Sequence, residues 1–226
     1  MSTAAALFGV LFALSGVAAT AAPPTPLVEG FDQVKAKRVD QAWLLPGADF
    51  SAYKRVMIDP AEVAFRKNWM RDVNRSQRGA SRVREEDAVK IAAAARDGFN
   101  EIFAEAFTKA GYEVVTESAP DVLRLTPAIR DLYITAPAAL QDFGNKVYSV
   151  EAGDATLMLV VSDAPTGAVL GLAVDRREAG DRGGSQITRL DWRTTSSNRH
   201  DFERLFKAWA KDCVDGLADL KSGKTK

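Results

Sequence analysis

From Glu85 to Lys109 the apolar residues keep a helical period, and this run constrains the fold more than any other feature. Ile91, Ala95, Phe99, Ile102, Phe103 and Ala106 form one stripe on such a helix. Ser81, then Arg84-Glu85-Glu86-Asp87, leads into it, the acids complementing the positive end of the helix dipole. Gly111 is placed to stop it. A strand-like run, Tyr53–Asp59 ("YKRVMID"), precedes the helix, with Val56 and Ile58 pointing one way and Met57 the other. Pro60 ends that strand because it has no N–H to donate. "YEVVTE" follows Gly111 at once as a second strand. Strand, long helix, strand predicts a right-handed βαβ crossover.

The remaining chain reads mostly as β. "DVLRLTPAIRDLYITA", Asp121–Ala136, puts Leu123, Leu125 and Ile129 on one face, and Pro127 predicts an edge or a bulge. Lys146–Asp163 and Gly167–Ala179 are two further strands, the first bent at Gly153. "DAPTG" joins them as a hairpin, Pro165 favouring a type I turn and Gly167 supplying the left-handed residue. "ITRLDWRT" is a further short strand, and Asn198 caps a last helix over Arg199–Leu220. On that helix Phe202, Phe206, Trp209, Cys213 and Leu217 fall in line. Ahead of the first strand, Pro46-Gly47 marks a turn and residues 22–42 form an extended lead-in, with a short helical turn over "KAKRVDQAW". The expected architecture is one α+β domain over 43–220. Its sheet is mixed but mostly antiparallel, opens with the βαβ unit and carries two long amphipathic helices on one face. Residues 221–226 are a disordered tail.

Length and composition bound the function. With 226 residues, 46% hydrophobic and 27% charged, the chain can bury a core without metals or disulfides. Thirty basic and thirty acidic residues cancel, which argues against nucleic acid as a partner. Residues 1–22 carry no charged side chain, Ala4–Val17 has the length of a signal h-region, and Ala19-Thr20-Ala21 fits an A-x-A cleavage site. The reading is a signal peptide over 1–21, cleaved near Ala21–Ala22, and a periplasmic or secreted mature protein. An uncleaved N-terminal anchor stays open, because no Lys or Arg precedes the h-region. The one cysteine, Cys213, has no intrachain partner and reads as a buried apolar thiol. No cysteine follows the h-region, so the chain is not expected to be a lipoprotein.

Several stretches, in order, carry a resemblance: "LLPGADFSAYKRVMIDPAEVAF" with Trp69 after it, "GYEVV", "PDVLRLTPAIRDLYITAP", "EAGDATLMLVVSDAPTGAVLGLAVDRREA" and "NRHDFERLFKAWAKDCVDGL". By these the chain resembles a family of uncharacterised secreted and lipoprotein-like bacterial envelope proteins, classified only as a domain of unknown function. The resemblance spans about Gln41 to Leu220. It implies an envelope location and confers no reaction, ligand or catalytic residue. The element order is also similar to that of small envelope accessory modules, at the level of fold only.

Motifs for chemistry are sparse. The only histidine, His200, stands at a helix start beside Asp201, and no G-x-S-x-G elbow accompanies it. One His and one Cys do not make a zinc site, and no cofactor is expected. Asp59, Glu62, Glu151, Asp154 and Asp175 are candidate carboxylates for a hydrolase acting on a cell-wall glycan. The alternative for Asp175-Arg176-Arg177-Glu178 is an ion-paired strand edge. "GDRGGS" lacks the phosphate-loop pattern and reads as a loop. The strongest lead is basic: Arg66, Lys67, Arg71, Arg75, Arg78, Arg82 and Arg84 surround Trp69 against the single acid Asp72. Arginine forks match phosphate and carboxylate, and a tryptophan can lie on a headgroup or sugar. The alternative is a solvated loop partly neutralised by Glu85, Glu86 and Asp87. The sequence therefore points to a non-catalytic envelope binding or accessory module whose partner is an envelope protein, peptidoglycan or an anionic lipid, with a glycan hydrolase and an anionic-membrane binder as alternatives. It leaves the oligomeric state open.

Overall fold

The computed structural model describes residues 29–75, 82–135, 147–149, 153–180, 191–193 and 195–223. The signal segment, Arg78, Ser81 and Glu151 lie outside the described residues. In chain order the elements are β1 (Asp32–Val34), β2 (Gln41–Leu44), β3 (Arg55–Ile58), β4 (Glu62–Phe65), α1 (Trp69–Val73), α2 (Glu85–Lys109), β5 (Glu113–Val114), β6 (Val122–Ile134), β7 (Val147–Ser149), β8 (Gly153–Asp163), β9 (Val169–Ala179), β10 (Asp191–Arg193) and α3 (Thr195–Lys221). Eight strands form one sheet in the order β1-β2-β9-β8-β6-β3-β5, with β4 also pairing β6. The pairs β1–β2, β2–β9, β9–β8 and β8–β6 are antiparallel, while β3 and β4 run parallel to β6 and β5 parallel to β3. The result is an α+β fold with a mixed, mostly antiparallel sheet, in which β3, α2 and the parallel strands after it make the expected crossover. Strands β7 and β10 pair with each other as a separate two-stranded sheet.

Helix α2 begins and ends where its chemistry dictates. Asp87 Oδ2 accepts from the Arg84 backbone N–H at 2.9 Å, and Glu85, Glu86 and Asp87 fill the first turn. At its other end Gly111, at φ +90°, turns the chain while its N–H bonds the Thr108 carbonyl. The stripe predicted for this helix is buried at Phe99 and Phe103 and half-buried at Ile91, Ala95, Ile102 and Ala106, and Phe107, outside that stripe, is buried with it. These rings share one core cluster with Phe202, Phe206 and Trp209 of α3, Leu123, Leu125 and Ile129 of β6, and Leu157 and Leu159 of β8. Both long helices thus cover the same face of the sheet. The opposite face presents Arg124 and Thr126, both bonded to Asp59, and Arg130, paired with Glu62.

Several expectations are corrected. The lead-in is part of the sheet: β1 and β2 pair as a hairpin, and β2 lies against β9, so Trp43 sits in a strand and no helical turn forms over Lys35–Trp43. The unpaired side of β9 supplied the partner. "YEVVTE" shrinks to the two-residue edge strand β5. Pro127 lies in an interior strand, not at an edge. The Leu125 carbonyl accepts from Asp59 N–H on the β3 side, and backbone groups two residues apart on a strand face the same neighbour. The missing proline donor therefore falls where the neighbour of β6 changes from β3 to β4, and no ladder bond is lost. The irregularity expected near Pro127 occurs instead at Asp131, at φ +50°, where the β6–β8 register shifts between Arg130 and Tyr133. It moves the buried set from Leu123, Leu125 and Ile129 to Leu132. The last helix starts at Thr195, so Asn198 lies within its first turn and does not cap it.

Gly153 is the tightest position in the sheet. Its φ is +152°, and a Cβ there would stand 1.8 Å from the Tyr133 carbonyl oxygen. Gly153→Ala is expected to destabilise the fold by more than about 2 kcal/mol in urea unfolding. An unchanged midpoint would mean that the two strands do not approach this closely.

Candidate functional site

The structure divides the basic segment into core and rim. Trp69 is 2% exposed, stacks on Phe65 at 4.0 Å, and donates from Nε1 to the Ile134 carbonyl at 3.1 Å. A ring used in this way cannot lie on a headgroup, so its assignment to the binding set is corrected: with Val73 and Val83 it anchors a small satellite core. Arg66 is half-buried, pairs with the buried Asp154 and lies over the Tyr133 ring at 4.9 Å. Arg176 reaches the same carboxylate at 3.2 Å. Lys67, Arg71, Arg75, Arg82 and Arg84 are exposed, and Arg78 lies outside the described residues.

Asn74 gathers the rim. Its buried amide donates to the Val83 carbonyl and accepts from the Val83 N–H, both at 2.8 Å. This two-way clamp holds positions 74 and 83 together, so Arg75 and Arg82 leave from neighbouring points beside Arg71 and Arg84. Arg71 contacts Asp72 at 3.2 Å and Arg84 contacts Glu86 at 3.4 Å, both across exposed surface where such pairs contribute little. Their guanidinium forks remain open to an external anion.

The candidate carboxylates do not converge. Asp59 holds Arg124 and Thr126, Glu62 holds Arg130, and Asp154 holds Arg66 and Arg176. Glu151 is outside the described residues. The run Asp175–Glu178 lies past the β2 pairing, which ends at Val174, so it keeps one open strand side and is ion-paired as read, but Asp175 itself is buried at 4% exposed. It accepts from Trp209 Nε1 at 2.7 Å and from the Asp40 N–H at 3.0 Å, with Arg177 Nε at 2.5 Å. Burial pushes the Asp175 carboxyl up, and the Arg177 charge and the Trp209 hydrogen bond oppose that. Arg177 continues to Asp212 at 2.8 Å and to the Arg38 carbonyl at 2.9 Å. Arg38 closes the chain of contacts onto Asp219. His200 is exposed and faces Glu203 at 3.5 Å. Among the described residues no group of His, Cys, Asp and Glu could hold a metal ion, and no helix is long and apolar enough to cross a membrane.

Sequence reasoning missed a half-open cavity of about 360 Å³ between the β1–β2 hairpin, the helix-bearing face of the sheet and the C-terminal half of α3. Its walls include Leu44, Phe107, Leu125, Leu159, Cys213 and Leu217. Cys213 is partly exposed, and burial together with the Asp212 and Asp175 charges pushes its thiol up to about 12. The signal that was available is Gly216, a glycine inside an otherwise unbroken helical pattern.

A family model described as a protein of unknown function (DUF3313) matches residues 29–213. No curated protein matches the chain. Solved structures similar to it include a PelC dodecamer from Paraburkholderia phytofirmans. That likeness has 12% identity, 78% of this chain covered, 97% of that chain covered, and a TM-score of 0.40. Protein XCC0632 from Xanthomonas campestris, of family DUF330, is 10% identical over 84% of this chain and 95% of its own, with a TM-score of 0.43.

Two outcomes are expected from the buried network. Asp175→Ala leaves the Trp209 and Asp40 N–H groups without their acceptor and takes one of two carboxylates from Arg177, and should cost about 2–5 kcal/mol in urea unfolding, whereas Asp175→Asn, which still accepts from Trp209, should cost less. A raised thiol pKa keeps the proton on Cys213, so the native chain should react with a neutral thiol reagent about tenfold or more slowly than the urea-unfolded chain.

Proposed function

The chain belongs to the DUF3313 family of proteins of unknown function, and for this member we propose an exported, non-catalytic module of the bacterial envelope that holds an anionic partner through its arginine-rich rim. The observation that carries the reading is the Asn74–Val83 clamp, which joins the two chain segments that bear the exposed Arg71, Arg75, Arg82 and Arg84. Guanidinium groups so arranged suit phosphate or carboxylate oxygens in bidentate pairs. The charge-free residues 1–22 with their A-x-A site support export, and in that compartment phospholipid headgroups and peptidoglycan are the available anions. Trp69 and Arg66 contribute by holding the rim to the sheet.

The membrane form of the proposal is tested by sedimentation with vesicles of anionic and of neutral phospholipid. At about 1 kcal/mol for each basic residue near an anionic surface, replacing Arg71, Arg75 and Arg82 together by Ala should weaken partitioning by about a hundredfold or more. Binding should also fall with added salt. If variant and wild type sediment alike with the anionic vesicles, the rim is not the contact. Fractionation of the native host addresses export separately: the mature chain should start near Ala22, and a wholly cytoplasmic, uncleaved product would overturn that part.

A further inference from the structure

We propose that the cavity under the β1–β2 hairpin is a binding site for a medium-chain carboxylate amphiphile, its chain in the cavity and its head at Lys35 and Lys37. The volume of about 360 Å³ is more than twice that of apolar cavities known to stay dry and bind benzene. At roughly 30 Å³ for a water-sized unit, it has room for about a dozen methylenes. The walls are apolar: Phe107 from α2, Leu44 from β2, Leu125 from β6, Leu159 from β8 and Leu217 from α3. Such a cavity favours an unbranched hydrocarbon over water, because water there would find few polar partners.

Gly216 adds width to the cavity. It lies inside α3, lines the cavity, and a Cβ built on it meets no heavy atom within 4 Å. Glycine in a helix interior is unfavourable relative to alanine, and of the two glycines inside the long helices, Gly98 and Gly216, it is Gly216 that lines the cavity.

The mouth supplies the head group's partner. Lys35 and Lys37 line the cavity on the hairpin, both are exposed, and neither has an ion-pair partner among the described residues. The acids beside them are already engaged, Asp212 by Arg177 and Asp219 by Arg38. The hairpin itself is held down by the Arg38–Asp219 and Asp40–Asp175 contacts, next to the segment that carries the two lysines. A carboxylate with an apolar tail is thus matched at both ends.

The test is calorimetric titration of the whole mature chain with dodecanoate below its micelle concentration, with dodecyltrimethylammonium as the probe of opposite head charge. Saturable binding of dodecanoate at one site is expected. The cationic probe should bind about tenfold or more weakly, and so should dodecanoate to a Lys35→Glu, Lys37→Glu variant. Gly216→Leu, which fills the cavity while improving helix propensity, should weaken dodecanoate about tenfold or more without lowering the melting temperature. Should that variant fail to fold, Cys213 decides the matter in wild type: bound dodecanoate must slow its reaction with methyl methanethiolsulfonate. No saturable binding, wild-type affinity in a folded Gly216→Leu chain, or an unprotected Cys213 would overturn the site. Equal affinity for the two head groups would overturn the role of the lysines. Neither result bears on the arginine rim, which lies on other elements.

Discussion

Phe99 of α2 meets Phe206 of α3 edge to face, with ring centroids 5.4 Å apart and planes at 85°. This contact fixes how the two long helices lie on the sheet, and the other core rings extend it in both directions. Phe103 and Phe107 continue along α2, and Phe202 and Trp209 along α3. Rings of this size bury large apolar areas and prefer offset or edge-on geometry, so the seam holds both position and rotation of the helices. Everything placed at the ends of α2 and α3 follows from it. The N-terminus of α2 carries Arg84 to the rim, and the C-terminal half of α3 forms one wall of the cavity.

Trp209 joins this seam to the polar part of the molecule. Its ring stacks on Phe206 at 6.0 Å while its N–H reaches Asp175 on β9. A buried carboxylate is tolerated only when several donors satisfy it, and here Trp209, the Asp40 backbone and Arg177 do so. Because one of those donors comes from the chain just before β2, the same carboxylate that satisfies the helix also holds the hairpin over the sheet. Arg177 and Arg38 extend the tie to Asp212 and Asp219 on α3. The cavity lies beside this polar strap, with apolar walls from the sheet and the helices and charged residues of the strap at its rim.

Much of the fold was legible because local signals agreed. The stripe on α2, its acidic first turn, the glycine after it and the Asp163–Gly167 hairpin all appear as read. In that hairpin Gly167 has φ +71° and donates to the Asp163 carbonyl at 2.8 Å. The failures fall where a distant partner decides. Lys35–Trp43 has a helix-like composition, yet β9 recruits its second half into the sheet. Asp175 sits in an alternating charged run of the kind found on edges, yet Trp209, Arg177 and the Asp40 backbone enclose its carboxylate. Trp69 and Arg66 sit among exposed arginines, yet Phe65, Ile134, Tyr133 and Asp154 claim them. In each case the neighbour is remote in sequence, so no local pattern records it.

The sequence alone determined the fold class, the order of its main elements and the presence of an uncommonly basic stretch between β4 and α2. Periodicity, capping residues and turn glycines act within a few residues of themselves, and the sequence displays them directly. Only the tertiary structure decided which arginines remain free, which acids are buried, and that a void with unpaired lysines at its mouth lies under the hairpin. Those properties arise from side chains that meet across the sheet and between helices. Burial and pairing are fixed by such meetings, not by the identity of the residue.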